Sequence, residues 1–166
     1  MSTTLAQRIV SEAETWIGTR YQEQGRLKFQ GVDCVGFISE VAKGAGIKTV
    51  VIPSNYTSSG DGTVMLGLLR EHMTMVATED MQAGDVLAFC DQALQEPDVP
   101  RHLAFVQEVT PKTAFIIHSS EHGVRRHRID AAWRRRIHSV WRIKEDTDPK
   151  IQIAPNAFIP LDAFVE

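Results

Sequence analysis

The hydrophobic period of the chain changes once, and that change constrains the fold more than any other feature. Over residues 4–17 the apolar side chains Leu5, Ile9, Val10, Ala13, Trp16 and Ile17 recur at helical spacing. Thr4 and Gln7 stand at capping-box spacing, and Gly18 sits where a helix C-terminus favours glycine. A polar, Gly-containing stretch follows at 19–32. Asp33 then offers an N-cap, and Val35, Phe37, Ile38, Val41 and Ala42 resume the helical period as far as Gly44 and Gly46. Residues 53–63 read as a loop, 64–72 as a short third helix, and Ala83-Gly84 as a turn. Beyond that turn the period is two. Residues 86–89, 103–109, 113–118, 124–129 and 137–143 are short runs of branched and aromatic residues separated by turn signals. Helices first and strands second predict an α+β domain, with N-terminal helices packed on a central antiparallel β-sheet of about five strands.

With 166 residues, the chain suits a single domain, expected at 1–143, followed by an extension at 144–166 that carries three prolines and little periodicity. A formal charge of -3 gives no electrostatic reason to expect a nucleic-acid partner. The first ten residues lack a basic segment followed by an apolar run, so the expectation is synthesis in the cytoplasm without a signal peptide. No apolar run is long enough to insert in a membrane. Two cysteines, Cys34 and Cys90, are too few for a disulfide framework, and no Cys/His/carboxylate spacing points to a metal; no cofactor is expected.

Chemistry gathers around Cys34. In the first turn behind a capping Asp33, its sulfur lies near unpaired N–H groups and the positive end of the helix dipole, a setting expected to favour thiolate. Gly36 is expected to leave room for a substrate backbone. A small buried hydrophobe is the competing reading of any cysteine, and it is the reading taken for Cys90, which ends the apolar run VLAFC. A thiol nucleophile needs a base, and imidazole suits the task. His102 opens the strand HLAFV and His118 closes AFIIH, so both stand at the open end of one hairpin. For them to share a face, their numbers must sum to the same parity as the cross-strand pairs, which a plain two-residue turn pairing Thr110 with Thr113 denies. The hairpin is therefore expected to carry an odd-length loop or a bulge. His72, His122, His127 and His138 have no such relation to a nucleophile and are read as ordinary surface or core residues.

The segments WIGTRY (16–21), VDCVGFISEV (32–41), AGDVLAF (83–89), RHLAFV (101–106) and FIIHSS (115–120) resemble the NlpC/p60-type cell-wall peptidases, a compact branch of the papain-like cysteine hydrolases. Residues 123–143 further resemble members of that family encoded with phage tail genes. The resemblance implies that Cys34 attacks an amide carbonyl, that His102 is its base and that His118 orients His102. It also implies that the Tyr21 hydroxyl stands beside the nucleophile at the oxyanion, and that Asp33, besides capping, binds a substrate ammonium. One departure is the segment QEQGRLKFQG (22–31), which lacks the Gly-Gly run common in the family. The implied substrate is a peptidoglycan stem peptide, cut between γ-D-glutamate and a diamino acid, and the implied setting is a phage or phage-like tail with its proteins as partners. Carboxylates on such a substrate make Arg125, Arg126, Arg128, Arg134, Arg135 and Arg136 candidate contacts, against the alternative of a solvated basic face. Two other functions compete: an acyltransferase on the same scaffold, which needs an apolar acceptor site, and a catalytically inactive structural tail-tip or binding protein.

Overall fold

The computed structural model of the chain describes residues 2–48, 62–91 and 99–145, so most of the expected 53–63 loop and nearly all of the C-terminal extension lie outside the described residues. Among the described residues four α-helices and eight strands follow in the order α1 (Leu5–Thr15), β1 (Arg26–Leu27), β2 (Gly31–Val32), α2 (Cys34–Gly44), α3 (Thr63–His72), β3 (Met73–Val76), β4 (Val86–Cys90), β5 (Pro100–Val109), β6 (Ala114–Ser120), β7 (Gly123–Arg128), α4 (Ala131–Arg135) and β8 (Ile137–Ile143). The architecture is α+β, as the change of period predicts. Strands β3–β8–β4–β5–β6–β7 form one antiparallel sheet in that order, six strands rather than about five. The additional one, β3, begins on the residue after α3 with no turn residue to announce it. Also unexpected are α4 and the two-residue hairpin β1–β2 inside the stretch read as loop.

Local chemistry accounts for the helix starts. The Thr4 side chain accepts from the Gln7 backbone N–H while the Gln7 side chain accepts from the Thr4 N–H, a complete capping box. Asp33 caps α2, and Asp130 caps α4 by accepting from the Trp133 N–H. Both faces of the sheet are covered. Against one face, α1 and α2 pack Ile9, Ala13, Trp16, Phe37, Ile38 and Val41 onto Val86, Leu103, Phe105, Ile117 and Trp141. Trp16, Phe37 and Phe105 meet edge to face, and each such fully buried aromatic contributes about 1.5–3 kcal/mol through burial alone. On the opposite face Leu87, Phe89, Ala104, Val106, Ile116 and Val140 form a second cluster, closed by Trp133 and Ile137.

Register in the β5–β6 hairpin has the irregularity that parity demands. Near the tip Val109 opposes Ala114 and Glu108 opposes Phe115; past a bulge, Val106 opposes Ile116 and Phe105 opposes Ile117. Gln107 is the extra residue. Its side chain is anchored at both ends, donating to Glu14 of α1 at 2.8 Å and accepting from Arg126 of β7. A buried hydrogen bond from the Ser119 hydroxyl to the Val32 carbonyl, 2.7 Å, ties the end of β6 to the residues just before α2.

Candidate active site

The Cys34 side is held by bonds to the backbone. Both oxygens of Asp33, which is 2% exposed, accept backbone N–H groups: one from Gly36 at 2.7 Å as the helix cap, the other from Gln24 at 2.7 Å. One carboxylate thus fixes both the start of α2 and the turn in front of it. Gly36 serves this packing and not a substrate, correcting the expectation above. A Cβ there would stand 2.5 Å from the Gly25 carbonyl oxygen and 3.0 Å from Asp33 Oδ1. Tyr21, 38% exposed, is held by a bridge to Val32.

The bulge at Gln107 places His102 and His118 on one face of the sheet, the face that carries Ala104, Val106 and Ile116. His102 Nε2 and His118 Nδ1 are 2.7 Å apart, a hydrogen bond between imidazoles. His118 is 2% exposed and packs edge to face against Trp133. Cys34 belongs to a helix on the opposite face, yet its sulfur reaches the strand ends, where it meets the Leu103 backbone. A cavity of about 810 Å³ opens there, and Tyr21, Asp33, Cys34, His102 and His118 all line it. The residues singled out by sequence therefore converge on one space. Cys90 does not; it is buried at the end of β4, where its backbone carbonyl accepts from the Arg136 side chain at 3.1 Å.

Electrostatics reverse one expectation. Although part of Cys34 reaches the cavity surface, desolvation pushes its thiol up to about 12, and the neighbouring Asp33 charge adds to the rise. Hydrogen bonds from the backbone of Leu103, Val35 and Cys34 itself pull the other way and lose. The helix terminus does supply N–H groups to the sulfur, but burial outweighs them. Burial, with charge from His118 and Arg136, lowers His102 to about 3; burial, with charge from His127, Arg125 and Arg136, lowers His118 to about 4. Both shifts favour the neutral forms at neutral pH, a thiol and an imidazole lining the same cavity.

Sequence reasoning missed two contributors. His127 stands 5.5 Å from His118 between ring centroids, and Trp133 on α4 lies 4.8 Å from His127. Asp130 before AAWRR was the signal for α4, but only the β6–β7 register reveals that His127 faces the site. Of the six arginines considered, Arg125 and Arg136 line the cavity, together with Arg101, which sequence did not suggest. Arg126 points elsewhere, stacking 3.6 Å over the Phe115 ring. An apolar patch, Val35 on α2 with Val64, Met65 and Leu68 on α3, shares the lining with Ser119, Ser120, His122 and the carboxylates Asp91 and Glu121.

No protein-family model and no curated protein matches the sequence. Solved structures do match. A protein described as similar to lipoprotein, of the NLP/P60 family, from Staphylococcus aureus superposes with a TM-score of 0.63 at 19% identity, over 88% of this chain and 43% of that one. NlpC1 from Trichomonas vaginalis gives 0.57 at 15% identity, over 86% of this chain and 45% of the other. The peptidoglycan hydrolase RipB from Mycobacterium tuberculosis gives 0.56 at 16%, over 85% and 65%. The chain spans less than two thirds of the length of each. The α+β architecture and its six-stranded antiparallel sheet agree with that likeness: the chain has the NlpC/P60 fold.

Proposed function

We propose that the protein is a cysteine peptidase that hydrolyses amide bonds in peptidoglycan stem peptides. The observation that carries this reading is the convergence of Cys34 with the hydrogen-bonded pair His102–His118 in one cavity. Because His102 Nε2 is engaged by His118, the nitrogen left for the thiol is Nδ1. As a substrate carbonyl seats, Cys34 Sγ passes its proton to His102 Nδ1 while the S–C bond forms and the carbonyl π pair moves to oxygen. Backbone N–H of Cys34 and the Tyr21 hydroxyl stabilise that oxyanion. Collapse breaks the C–N bond, and His102 returns the proton to the leaving amine. Water then cleaves the thioester, with His102 taking its proton and the sulfur leaving to be reprotonated. A thiol that is neutral at rest suits this sequence, since desolvation makes the attacking sulfur reactive only when the proton has somewhere to go.

Support for the substrate class comes from RipB, a neighbour named as a peptidoglycan hydrolase, and from Arg101, Arg125 and Arg136, which offer the cavity partners for the carboxylates of such peptides. In the finer form of the proposal the scissile bond joins γ-D-glutamate to a diamino acid, Asp33 faces the substrate ammonium, and the enzyme acts with a phage or phage-like tail, as the resemblance of residues 123–143 implies. The test is mass spectrometry of defined stem peptides after incubation with wild type and with Cys34→Ala. The expected result is a pair of fragments from wild type alone; intact peptide in both samples overturns the reading. One observation favours a second function, acyl transfer: Val64, 49% exposed, together with Met65 and Leu68, gives the cavity the apolar wall that an acceptor site needs. Adding an alcohol or amine to the same assay separates the two by the product formed.

A further inference from the structure

His102, His118 and His127 form a row across the adjacent strands β5, β6 and β7. His127 opposes Ile116, two residues from His118, and so shares its face. Ring centroids are 5.0 Å apart for His102–His118 and 5.5 Å for His118–His127, with the planes at 78° and 89°. Trp133 packs against all three, at 6.3, 5.4 and 4.8 Å in the same order. The row does not converge on a metal-holding point: among the described residues no group of three or more His, Cys, Asp or Glu is arranged to do so.

One proton lies between His102 and His118, and its position decides whether His102 can act as a base. If His118 Nδ1 donates it, His102 must carry its own proton on Nδ1, the nitrogen that the proposed mechanism assigns to the thiol, and has no lone pair there. Base function requires the reverse: His102 Nε2 donates, His118 Nδ1 accepts, and His118 carries its proton on Nε2. That Nε2 is buried and has no hydrogen-bond partner among the described residues. Without a partner this Nε2 costs free energy in either tautomer, so the neighbouring groups decide: donors favour the lone pair and the unproductive arrangement, an acceptor favours the N–H. Around His118 stand Trp133, Arg125, Arg136 and His127. Indole and guanidinium groups only donate; His127 alone of these offers an acceptor nitrogen.

We propose that His127 is a positioning residue that accepts the Nε2 proton of His118, directly or through one bridging water, and so holds His102 with its Nδ1 lone pair toward Cys34. The spacing suits either route, because the terminal torsion of histidine is broad and an ordered water bridges nearly as well as a direct bond. The catalytic meaning rests on the peptidase reading, but the tautomer does not. Two-bond ¹H–¹⁵N spectra of wild type and His127→Phe assign the tautomers of His118 and His102 without any substrate. The expected result is an Nε2 proton on both in wild type, and a shift of His118 toward the Nδ1 proton in His127→Phe. An Nδ1 proton on His118 in wild type overturns the proposal even if the protein cleaves every peptide tried. Kinetics give the second readout: kcat is expected to fall about 10- to 100-fold in His127→Phe with KM unchanged, and to recover within about threefold of wild type in His127→Gln, which restores an acceptor. Equal losses in both variants, or a loss confined to KM, also overturn it. A wild type with the expected tautomers but no hydrolysis sinks the peptidase reading and leaves the tautomer device standing.

Discussion

The segment that carries Cys34 and the strands that carry the histidines are built in different ways. Around Cys34 the positions follow from bonds within one short stretch of chain: Asp33 to Gly36, Asp33 to Gln24, and Gly25 against Gly36. The histidines are placed by register between strands, with one bulge deciding which way their rings point. A locally built site yields to single substitutions in proportion to the bonds removed. A register-built site yields hardly at all to surface changes and completely to a shift of one residue.

Deleting Ala104, between His102 and the bulge, is the strongest way to break the contrast. It slips His102 by one position against β6 and turns it away from His118, so stem-peptide hydrolysis is expected to fall by at least about 10³-fold while circular dichroism still reports the sheet. Two residues inserted between Pro111 and Lys112, on the tip side of the bulge, are expected to leave the rate within about threefold. Next in size is reactivity. With its thiol raised to about 12, Cys34 is expected to alkylate with iodoacetamide roughly 100-fold more slowly than free cysteine at pH 8, and to speed up as pH climbs past 9. Rapid alkylation in acid would instead mean a resting ion pair. On the local side, Asp33→Ala leaves two backbone donors without their acceptor and is expected to cost about 2–3 kcal/mol in urea unfolding, with Asp33→Asn losing less because it keeps one acceptor oxygen.

Acid tests the histidine side in turn. His102 and His118 are lowered from 6.5 to about 3 and about 4, so between those limits the unfolded chain binds more protons than the folded one. Stability present above pH 6.5 is therefore lost as pH falls, by at most about 1.4 kcal/mol per unit for each histidine. Urea midpoints at pH 7, 6 and 5 read this before most carboxylates titrate, and a flat profile over that span contradicts the burial described. Smallest of all, Phe29 is 66% exposed at φ 61°, so Phe29→Gly is expected to raise stability by up to about 1 kcal/mol in thermal melts.

The same division explains what could be read from the amino-acid order. Thr4, Gln7 and Asp33 announce their helices because capping is local, and Cys34 follows from Asp33. His102 and His118 were legible as a pair because parity is arithmetic, though which residue forms the bulge was not. The β3 strand was hidden because Met73–Val76 follows His72 without a Gly, Pro or Asn between them. His127 and Trp133 were hidden because no spacing along the chain relates them to Cys34; β6 and β7 must first be paired. The direction of the thiol shift was missed for a related reason. The helix dipole is a property of α2 alone, whereas desolvation depends on the other elements folded around the sulfur.

Oxidants attack thiolates far faster than thiols. A thiol pushed up by burial offers peroxide little thiolate to react with. The crowded start of α2 is thus expected to act also as a chemical safety catch, slowing oxidation of a Cys34 that lines a cavity.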